Sequence, residues 1–148
     1  MLKPNLTEKY RKAIFVVIYK KENKKIFYLI LKRYKHWKGW EFAKGGIDDG
    51  ETELETAKRE LKEECGLKLK SIRNHNVRGK YKYPHQFPDR NGIIGQTYSL
   101  FSAEVYPGEV KIDKNEHSDY KWLEYKDALK TLSKQNQKVC LGIVNKRI

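Results

Sequence analysis

Three glutamates in the middle of the chain have a spacing that is suited to binding a metal ion. Glu60, Glu63 and Glu64 are three and four positions apart, so in a helix their carboxylates share one face. Like charges at this spacing repel each other, and a divalent cation would replace the repulsion with coordination. Ligation by oxygen alone favours Mg²⁺ or Mn²⁺. For the three glutamates alone, a solvated acidic face is the alternative.

A helix of defined length is predicted to carry these carboxylates. Thr52 followed by Glu55 forms a capping-box pattern at its start, and Gly66 suits the position after its last turn. Next to the acidic face runs an apolar stripe that can dock on a sheet, made of Leu54, Ala57, Leu61 and Cys65. The glutamates are therefore expected at the edge of the core.

The distribution of charge favours a polyanionic substrate. The 148 residues carry a formal charge of +13, whereas Gly45–Leu67 contains 8 acidic and 3 basic residues and is therefore −5. The rest of the chain accordingly carries +18. An acidic island in a basic body is expected of a metal site that serves a polyanion. A lysine-rich surface that maintains solubility is the alternative.

Short apolar runs between polar stretches predict an α/β fold in one domain over residues 1–148. The polar stretch Lys20–Lys25 is expected to be a hairpin turn, Lys44–Gly50 a glycine-rich turn and Lys80–Gln96 a long surface loop. The predicted strands are Ala13–Tyr19, Ile26–Leu31, Trp40–Phe42, Tyr98–Val105 and Tyr120–Leu123, and a final helix is predicted from Asp127 to about Val144.

The residues around the glutamates resemble a known family signature. Gly45, Glu51 and the run Arg59-Glu60-Leu61-Lys62-Glu63-Glu64-Cys65-Gly66-Leu67 match the Nudix pattern G-x5-E-x7-R-E-U-x-E-E-x-G-U, in which U is aliphatic, at every defining position. The chain is therefore identified as a member of the Nudix superfamily. The resemblance implies an α/β/α sandwich with a mixed central sheet, a catalytic loop-helix-loop and a C-terminal helix.

The resemblance implies a role for each matching position. The metal ligands would be the helix glutamates and one backbone carbonyl: Glu60, Glu63, Glu64 and Lys44. Glu51 and Arg59 would form an ion pair that holds the loop against the helix. Gly45 and Gly46 would let the backbone approach substrate phosphate closely, beside the side chain of Lys44.

Two acids are candidates for the general base that activates water. Glu63 lies within the signature. Glu116, in the segment Asn115-Glu116-His117, resembles the distal acid of several Nudix branches, and a surface glutamate in a polar turn is the alternative. The four histidines show no metal-ligand spacing, so structural or surface roles are expected for them.

The substrate class depends on residues beside the signature. Trp40–Glu51 resembles the W-x-x-P-x-G-G-I-D-x-G-E segment of RNA 5′-pyrophosphohydrolases and dinucleoside polyphosphate hydrolases, although Ala43 replaces the usual proline. Tyr81-Lys82-Tyr83-Pro84 followed by Gly95-Gln96 resembles a second feature of that group. The two tyrosines could stack a base, and Lys82 and Arg33 could pair with phosphates. Packing of the tyrosines on the sheet and a solvated strand end are the alternatives.

A metal-dependent hydrolase of dinucleoside polyphosphates or RNA 5′ ends is therefore expected. The alternatives are a nucleoside triphosphate or nucleotide-sugar pyrophosphatase, and a catalytically silent module that binds RNA. Silent members are expected to lack some of the signature carboxylates, which this chain retains.

The sequence also favours a cytoplasmic protein, acting as a monomer or homodimer without a membrane partner. No apolar run approaches the ~20 residues that span a bilayer. Met1–Lys12 lacks the apolar region of a secretory signal. Two cysteines are too few for a disulfide framework, and both are expected to be reduced.

Overall fold

The structure is a computed structural model that describes residues 9–148. Most of Met1–Lys12, which the sequence predicts not to be a secretory signal, lies outside this range. Within it the chain forms seven strands and three helices. The strands are β1 Lys9–Glu22, β2 Lys25–Arg33, β3 Gly39–Glu41, β4 Ala43–Gly46, β5 Leu69–Lys82, β6 Ile93–Val105 and β7 His117–Leu123, and the helices are α1 Glu53–Cys65, α2 Tyr125–Thr131 and α3 Gln135–Arg147.

The strands form one mixed sheet with helices on both faces. The order is β3-β2-β1-β6-β5, with β4 added beside β1 and β7 beside β2. Only β1 and β6 run parallel among these pairs. Successive side chains of β1 alternate between two cores because a strand has a period of two. Ile14 and Val16 pack with α1, and Phe15 and Val17 pack with α2 and α3. The predicted α/β/α sandwich is confirmed.

Strand β1 pairs with two different antiparallel strands along its length. It pairs with β2 from Tyr19 to Glu22, and with β4 from Ala13 to Val16. Strands β2 and β4 therefore diverge from a common neighbour. The β1–β2 turn is tighter than predicted. Asn23 and Lys24 alone form it, at φ values of 52° and 64°, as a two-residue hairpin turn requires.

Two predicted elements need correction, and one strand was not predicted. Lys44–Gly46 belongs to strand β4, so the glycine-rich turn is shorter than expected. Both ends of the predicted Lys80–Gln96 loop belong to strands β5 and β6, which leaves residues 83–92 as the loop. Strand β5 was not predicted because it lies at the sheet edge, where alternate exposed lysines and arginines replace an apolar run.

The predicted C-terminal helix is two helices. The backbone leaves helical geometry at Leu132 (φ −56°, ψ 132°). Ser133 then makes two hydrogen bonds with Trp40: its backbone N–H donates to the Trp40 carbonyl, and its Oγ accepts from the Trp40 backbone N–H. These bonds fix the break, and α3 starts afresh at Gln135.

The remaining sequence expectations for the helices and cysteines are largely met. Ala57, Leu61 and Cys65 are buried in the core, whereas Leu54 is 42% exposed because it lies in the first turn, beyond the packed part of α1. Cys65 and Cys140 are both free and buried. Within residues 9–148, no helix has the length and apolar character needed to cross a membrane.

Candidate active site

Helix α1 is fixed at both ends, which sets the direction of its acidic face. Thr52 Oγ1 accepts a hydrogen bond from the amide of Glu55, and the Glu55 carboxylate accepts one from the amide of Thr52. Gly66 ends the helix in the left-handed conformation, at φ 66°. The predicted capping box and helix end are thus confirmed.

The carboxylate of Glu60 lies against the backbone of Gly45. Glu60 is only 6% exposed. A Cβ at position 45 would stand 1.9 Å from Glu60 Oε1, which is far inside van der Waals contact. Gly46 is covered in the same way by Arg11, whose Nη2 would lie 2.5 Å from a Cβ. Gly45 therefore leaves room for the Glu60 carboxylate, and Gly46 leaves room for the Arg11 guanidinium. Neither contact was predicted from the sequence.

Glu51 and Arg59 form the predicted ion pair between loop and helix. Arg59 Nε and Nη2 donate to the two Glu51 oxygens at 2.8 and 2.9 Å, and Nη2 also donates to the Gly46 carbonyl. These hydrogen bonds lower the pKa of Glu51 to about 2. Arg59 Nη1 additionally contacts Glu60 at 3.0 Å and Glu63 at 3.3 Å, so one guanidinium links the loop to two of the predicted metal ligands.

Glu64 belongs to a buried charge network that sequence reasoning missed. His117 lies between two carboxylates, with Nδ1 3.0 Å from Glu64 and Nε2 2.8 Å from Glu41. Burial alone would lower the pKa of His117, but the two carboxylates outweigh it and raise it to about 9. His117 Nε2 is hydrogen-bonded to Glu41, whereas Nδ1 and Glu64 Oε2 lie close together without a hydrogen bond. The sequence gives two signals of this network: Glu41 is a charged residue inside strand β3, and His117 directly follows Glu116.

Glu41 is the centre of this network. It is fully buried, and Arg33 Nη1 contacts it at 3.0 Å and Lys44 Nζ at 3.4 Å. Burial would raise the pKa of Glu41, but Lys44, His117 and Arg33 hold it at about 2. Arg33 was predicted to pair with phosphates, with a solvated strand end as the alternative; it is 5% exposed, so the solvated strand end is wrong for Arg33. Its neighbours Lys32 and Lys35 remain at the surface.

Glu116 lies beside the helix glutamates, as its predicted role requires. Ligand atoms of Glu64, Glu116 and His117 all fall within 4.8 Å of one another. Because both His117 nitrogens face carboxylates, the oxygens of Glu64 and Glu116 are the better donors to a cation. Glu116 lies in the turn before β7, is half-buried and stands 3.9 Å from Arg33, so the turn itself directs its carboxylate toward the site.

The acidic groups fit a hard divalent cation. Burial, followed by the neighbouring carboxylates of Glu64 and Glu63, raises the pKa of Glu60 to about 8. Burial likewise raises the pKa of Glu64. Such shifts show that the negative charges of this site are incompletely compensated by the protein. Oxygen donors with uncompensated charge are the ligands that hard divalent cations prefer.

Two adjoining cavities meet at this acidic centre. A small cleft of about 60 Å³ contains Glu60, Glu63 and Glu116 together with Arg11 and Gln96. A larger cavity of about 350 Å³ adjoins it, which is within the size range of small-molecule sites. Arg33, Lys44 and Arg90 line both cavities. The basic side chains thus lie between the acidic centre and the larger cavity.

Aromatic side chains line the larger cavity. Tyr81, Tyr83 and Lys82, all predicted to contact substrate, lie in its wall together with Trp37 and Phe87. The rings of Tyr81 and Tyr83 are 6.1 Å apart, and those of Tyr83 and Phe87 are 4.8 Å apart. Tyr81 also packs on Phe15 of the sheet, as the alternative interpretation expected, while stacking of a base on it stays a prediction.

A family model, curated proteins and solved structures were compared with the chain, and each comparison finds similar proteins. The model of the family described as NUDIX domain matches residues 9–141. An RNA pyrophosphohydrolase of a Nitratiruptor species is 36% identical over 110 residues, which cover 70% of each chain. An RNA pyrophosphohydrolase of Baumannia cicadellinicola is 36% identical over 105 residues, covering 64% of this chain and 65% of that protein. A C. elegans Ap4A hydrolase binary complex superposes with a TM-score of 0.74 at 28% identity, covering 92% of this chain and 96% of that one.

Proposed function

The chain belongs to the Nudix family and is a Nudix hydrolase, and we propose that it removes phosphate or pyrophosphate from RNA 5′ ends. The observation that carries this proposal is the junction of the two cavities: Arg33, Lys44 and Arg90 line both the acidic cleft and the aromatic cavity. A nucleoside in the aromatic cavity would direct its phosphates past these cations toward the glutamates. The RNA pyrophosphohydrolases that resemble the chain support the same substrate class.

Diadenosine polyphosphates are a second candidate substrate. The superposition on an Ap4A hydrolase favours them, and the rings of Tyr83 and Phe87, 4.8 Å apart and tilted by 60° in the cavity wall, offer aromatic faces for an adenine. Both candidates present a phosphoanhydride next to a nucleoside, so both use the same chemistry. They differ at the far end of the phosphate chain, which carries a second nucleoside in the dinucleotide and ends in a free phosphate in the RNA.

The glutamates of α1 would hold Mg²⁺ or Mn²⁺. Glu60, Glu63 and Glu64 supply carboxylate oxygens, and the backbone carbonyl of Lys44 is the proposed further ligand. When bound, the ion neutralises phosphate charge and makes water a better nucleophile at neutral pH. Arg59 and His117 keep the carboxylates in place, since each contacts at least one of them.

The chain's own residues supply binding and proton transfer. Arg33, Lys44 and Arg90 would pair with the phosphates. A water oxygen attacks phosphorus, the anhydride P–O bond breaks, and the proton of the water passes to a carboxylate. Glu63 and Glu116 are the two candidates for this base, since both line the cleft. A cytoplasmic location and a monomeric or homodimeric state stay predictions from the sequence.

A side-by-side assay tests the substrate class. Purified protein with Mg²⁺ or Mn²⁺ is given 5′-triphosphorylated RNA, diadenosine tetraphosphate, free nucleoside triphosphates and ADP-ribose, and the products are separated by chromatography. We expect RNA with a 5′-diphosphate if phosphate is released or a 5′-monophosphate if pyrophosphate is released, or a mononucleotide from diadenosine tetraphosphate. Activity on ADP-ribose alone would refute the proposal. Binding of RNA without any turnover would favour the silent module instead.

A further inference from the structure

Gln96 in β6 has a buried hydrogen-bond donor that faces the acidic cleft. Its side chain is 1% exposed and lines the cleft beside Arg11 and Arg90. Among residues 9–148, Nε2 has no hydrogen-bond partner. A buried donor without a partner is costly, so native structures rarely keep one that serves no purpose.

A relay of hydrogen bonds fixes the direction of this amide. Arg90 Nη1 donates to the Tyr83 hydroxyl at 2.9 Å, and that hydroxyl donates to Gln96 Oε1 at 3.1 Å. If the amide were turned over, the Tyr83 proton would meet an NH₂ group and lose its acceptor. The relay therefore holds Oε1 toward Tyr83 and leaves Nε2 for the cleft.

The surroundings of Nε2 carry both charges. The cleft is lined by four cationic side chains, Arg11, Arg33, Lys44 and Arg90, and by four carboxylates, Glu60, Glu63, Asp113 and Glu116. Arg11 lies opposite Gln96 in the pairing of β1 with β6, so a phosphate held by these cations would lie within reach of Nε2. A phosphate oxygen only accepts hydrogen bonds, and an amide NH₂ only donates them. A neutral donor adds direction without a further charge beside the guanidinium groups.

We infer that Gln96 is a substrate-binding residue whose Nε2 donates to a non-bridging oxygen of the phosphate chain, with Tyr83 as its positioning residue. This inference rests on the proposed function, because it takes the phosphate chain of that substrate as its ligand. Tyr83 then has two roles: its ring lines the aromatic cavity, and its hydroxyl orients Gln96.

Three variants test the donor. Gln96→Met keeps the length of the side chain and removes the donor, and Tyr83→Phe keeps the ring and removes the hydroxyl. The third variant combines both changes. Thr97→Val is the matched control, since it lies on the same strand with its side chain on the opposite face. The Tm of every variant is recorded to show that it is folded.

The first measurement is equilibrium binding of inorganic tripolyphosphate, followed by KM and kcat for diadenosine tetraphosphate and triphosphorylated RNA. We expect Gln96→Met to weaken tripolyphosphate binding and raise KM roughly ten-fold, the loss expected for one hydrogen bond to a charged group. Tyr83→Phe should cause a smaller loss, and the double variant should equal Gln96→Met alone. Such non-additivity shows that Tyr83 acts through Gln96.

Two results would overturn the inference. One is Gln96→Met protein that is folded and binds tripolyphosphate as tightly as wild type. The other is a Tyr83→Phe loss that persists at full size in the Gln96→Met background. If wild type binds tripolyphosphate in the predicted way but hydrolyses neither nucleotide substrate, the proposed function fails while the Gln96 site stands.

Discussion

The carboxylate of Glu60 fills the space in which a side chain at position 45 would have to stand. A Cβ on Gly45 would lie 1.9 Å from Glu60 Oε1 and 2.0 Å from Cδ. The loop glycine and the first helix glutamate of the signature are therefore one structural unit. A glycine is required at position 45 because the carboxylate needs the room.

Gly45→Ala should accordingly displace Glu60 and reduce kcat/KM by at least ~100-fold. The physical reason is the loss of one carboxylate from the acidic centre, since a metal-binding constellation tolerates displacements of only about half an ångström. Gly142→Ala in α3 is the control. Its Cβ would meet only Tyr125 Oη at an ordinary 3.4 Å, so activity should be unchanged and stability equal or higher. Normal turnover by Gly45→Ala would show that the Glu60 carboxylate does not need a glycine at position 45.

Arg59→Lys should weaken metal binding and turnover about 10- to 100-fold, the range seen when a group that orients metal ligands is lost. A lysine cannot reproduce the paired hydrogen bonds of a guanidinium to Glu51 while also reaching Glu60. Metal affinity is measured by calorimetry with Mn²⁺. Arg78→Lys is the control, since Arg78 pairs with Glu53 at the exposed end of α1. Equal metal affinity in both variants would contradict this role.

Glu41→Gln should destabilise the protein by about 3 kcal/mol or more, because it leaves His117, Arg33 and Lys44 without their shared buried counter-charge. Urea unfolding followed by circular dichroism measures the change. Glu22→Gln is the control. It breaks a partly exposed pair with Lys20, which should cost no more than about 1 kcal/mol. Similar losses in the two variants would show that the network contributes little.

Stability should fall as pH drops from about 6.5 to about 4, in part because of His75. Its ring is 4% exposed and contacts Ser102 Oγ at 2.7 Å. Burial, with Arg73 and Arg147 nearby, lowers its pKa to about 4, whereas an unfolded histidine titrates near ~6.5. In that window the unfolded chain binds the proton and the folded chain does not, so unfolding becomes easier.

The measurement for His75 is urea unfolding at pH 7, 5.5 and 4 for wild type and His75→Gln. The wild type should lose about 3 kcal/mol more than the variant between pH 7 and pH 4, since each tenfold difference in proton affinity is worth ~1.4 kcal/mol. His85→Gln, at an exposed position in the β5–β6 loop, should behave as wild type. Parallel pH profiles for wild type and His75→Gln would exclude this explanation.

The signature was sufficient to predict the helix and its acidic face. Its information is local: Thr52 and Gly66 mark the ends of α1, and the spacing of Glu60, Glu63 and Glu64 follows from the helical repeat. The Glu51–Arg59 pair joins two elements eight residues apart, and the resemblance supplied it.

The buried charge network could not be predicted from the sequence because segments far apart in the chain form it. Glu41 and His117 are 76 positions apart and meet because β3 and β7 both pair with β2. Strand β5 escaped prediction for a different reason, since an edge strand with charged side chains has no apolar pattern. Tyr81 and Lys82 therefore reach the cavity from a strand and not from a loop.

The most direct test of the account compares Glu63→Gln with wild type on 5′-triphosphorylated RNA and diadenosine tetraphosphate. Glu109→Gln, at an exposed position before Val110, is the matched control. We predict that Glu63→Gln loses kcat by orders of magnitude while its Tm stays at or above that of wild type, and that Glu109→Gln turns over normally. Near-normal kcat in folded Glu63→Gln protein would contradict the assignment of the helix glutamates to catalysis.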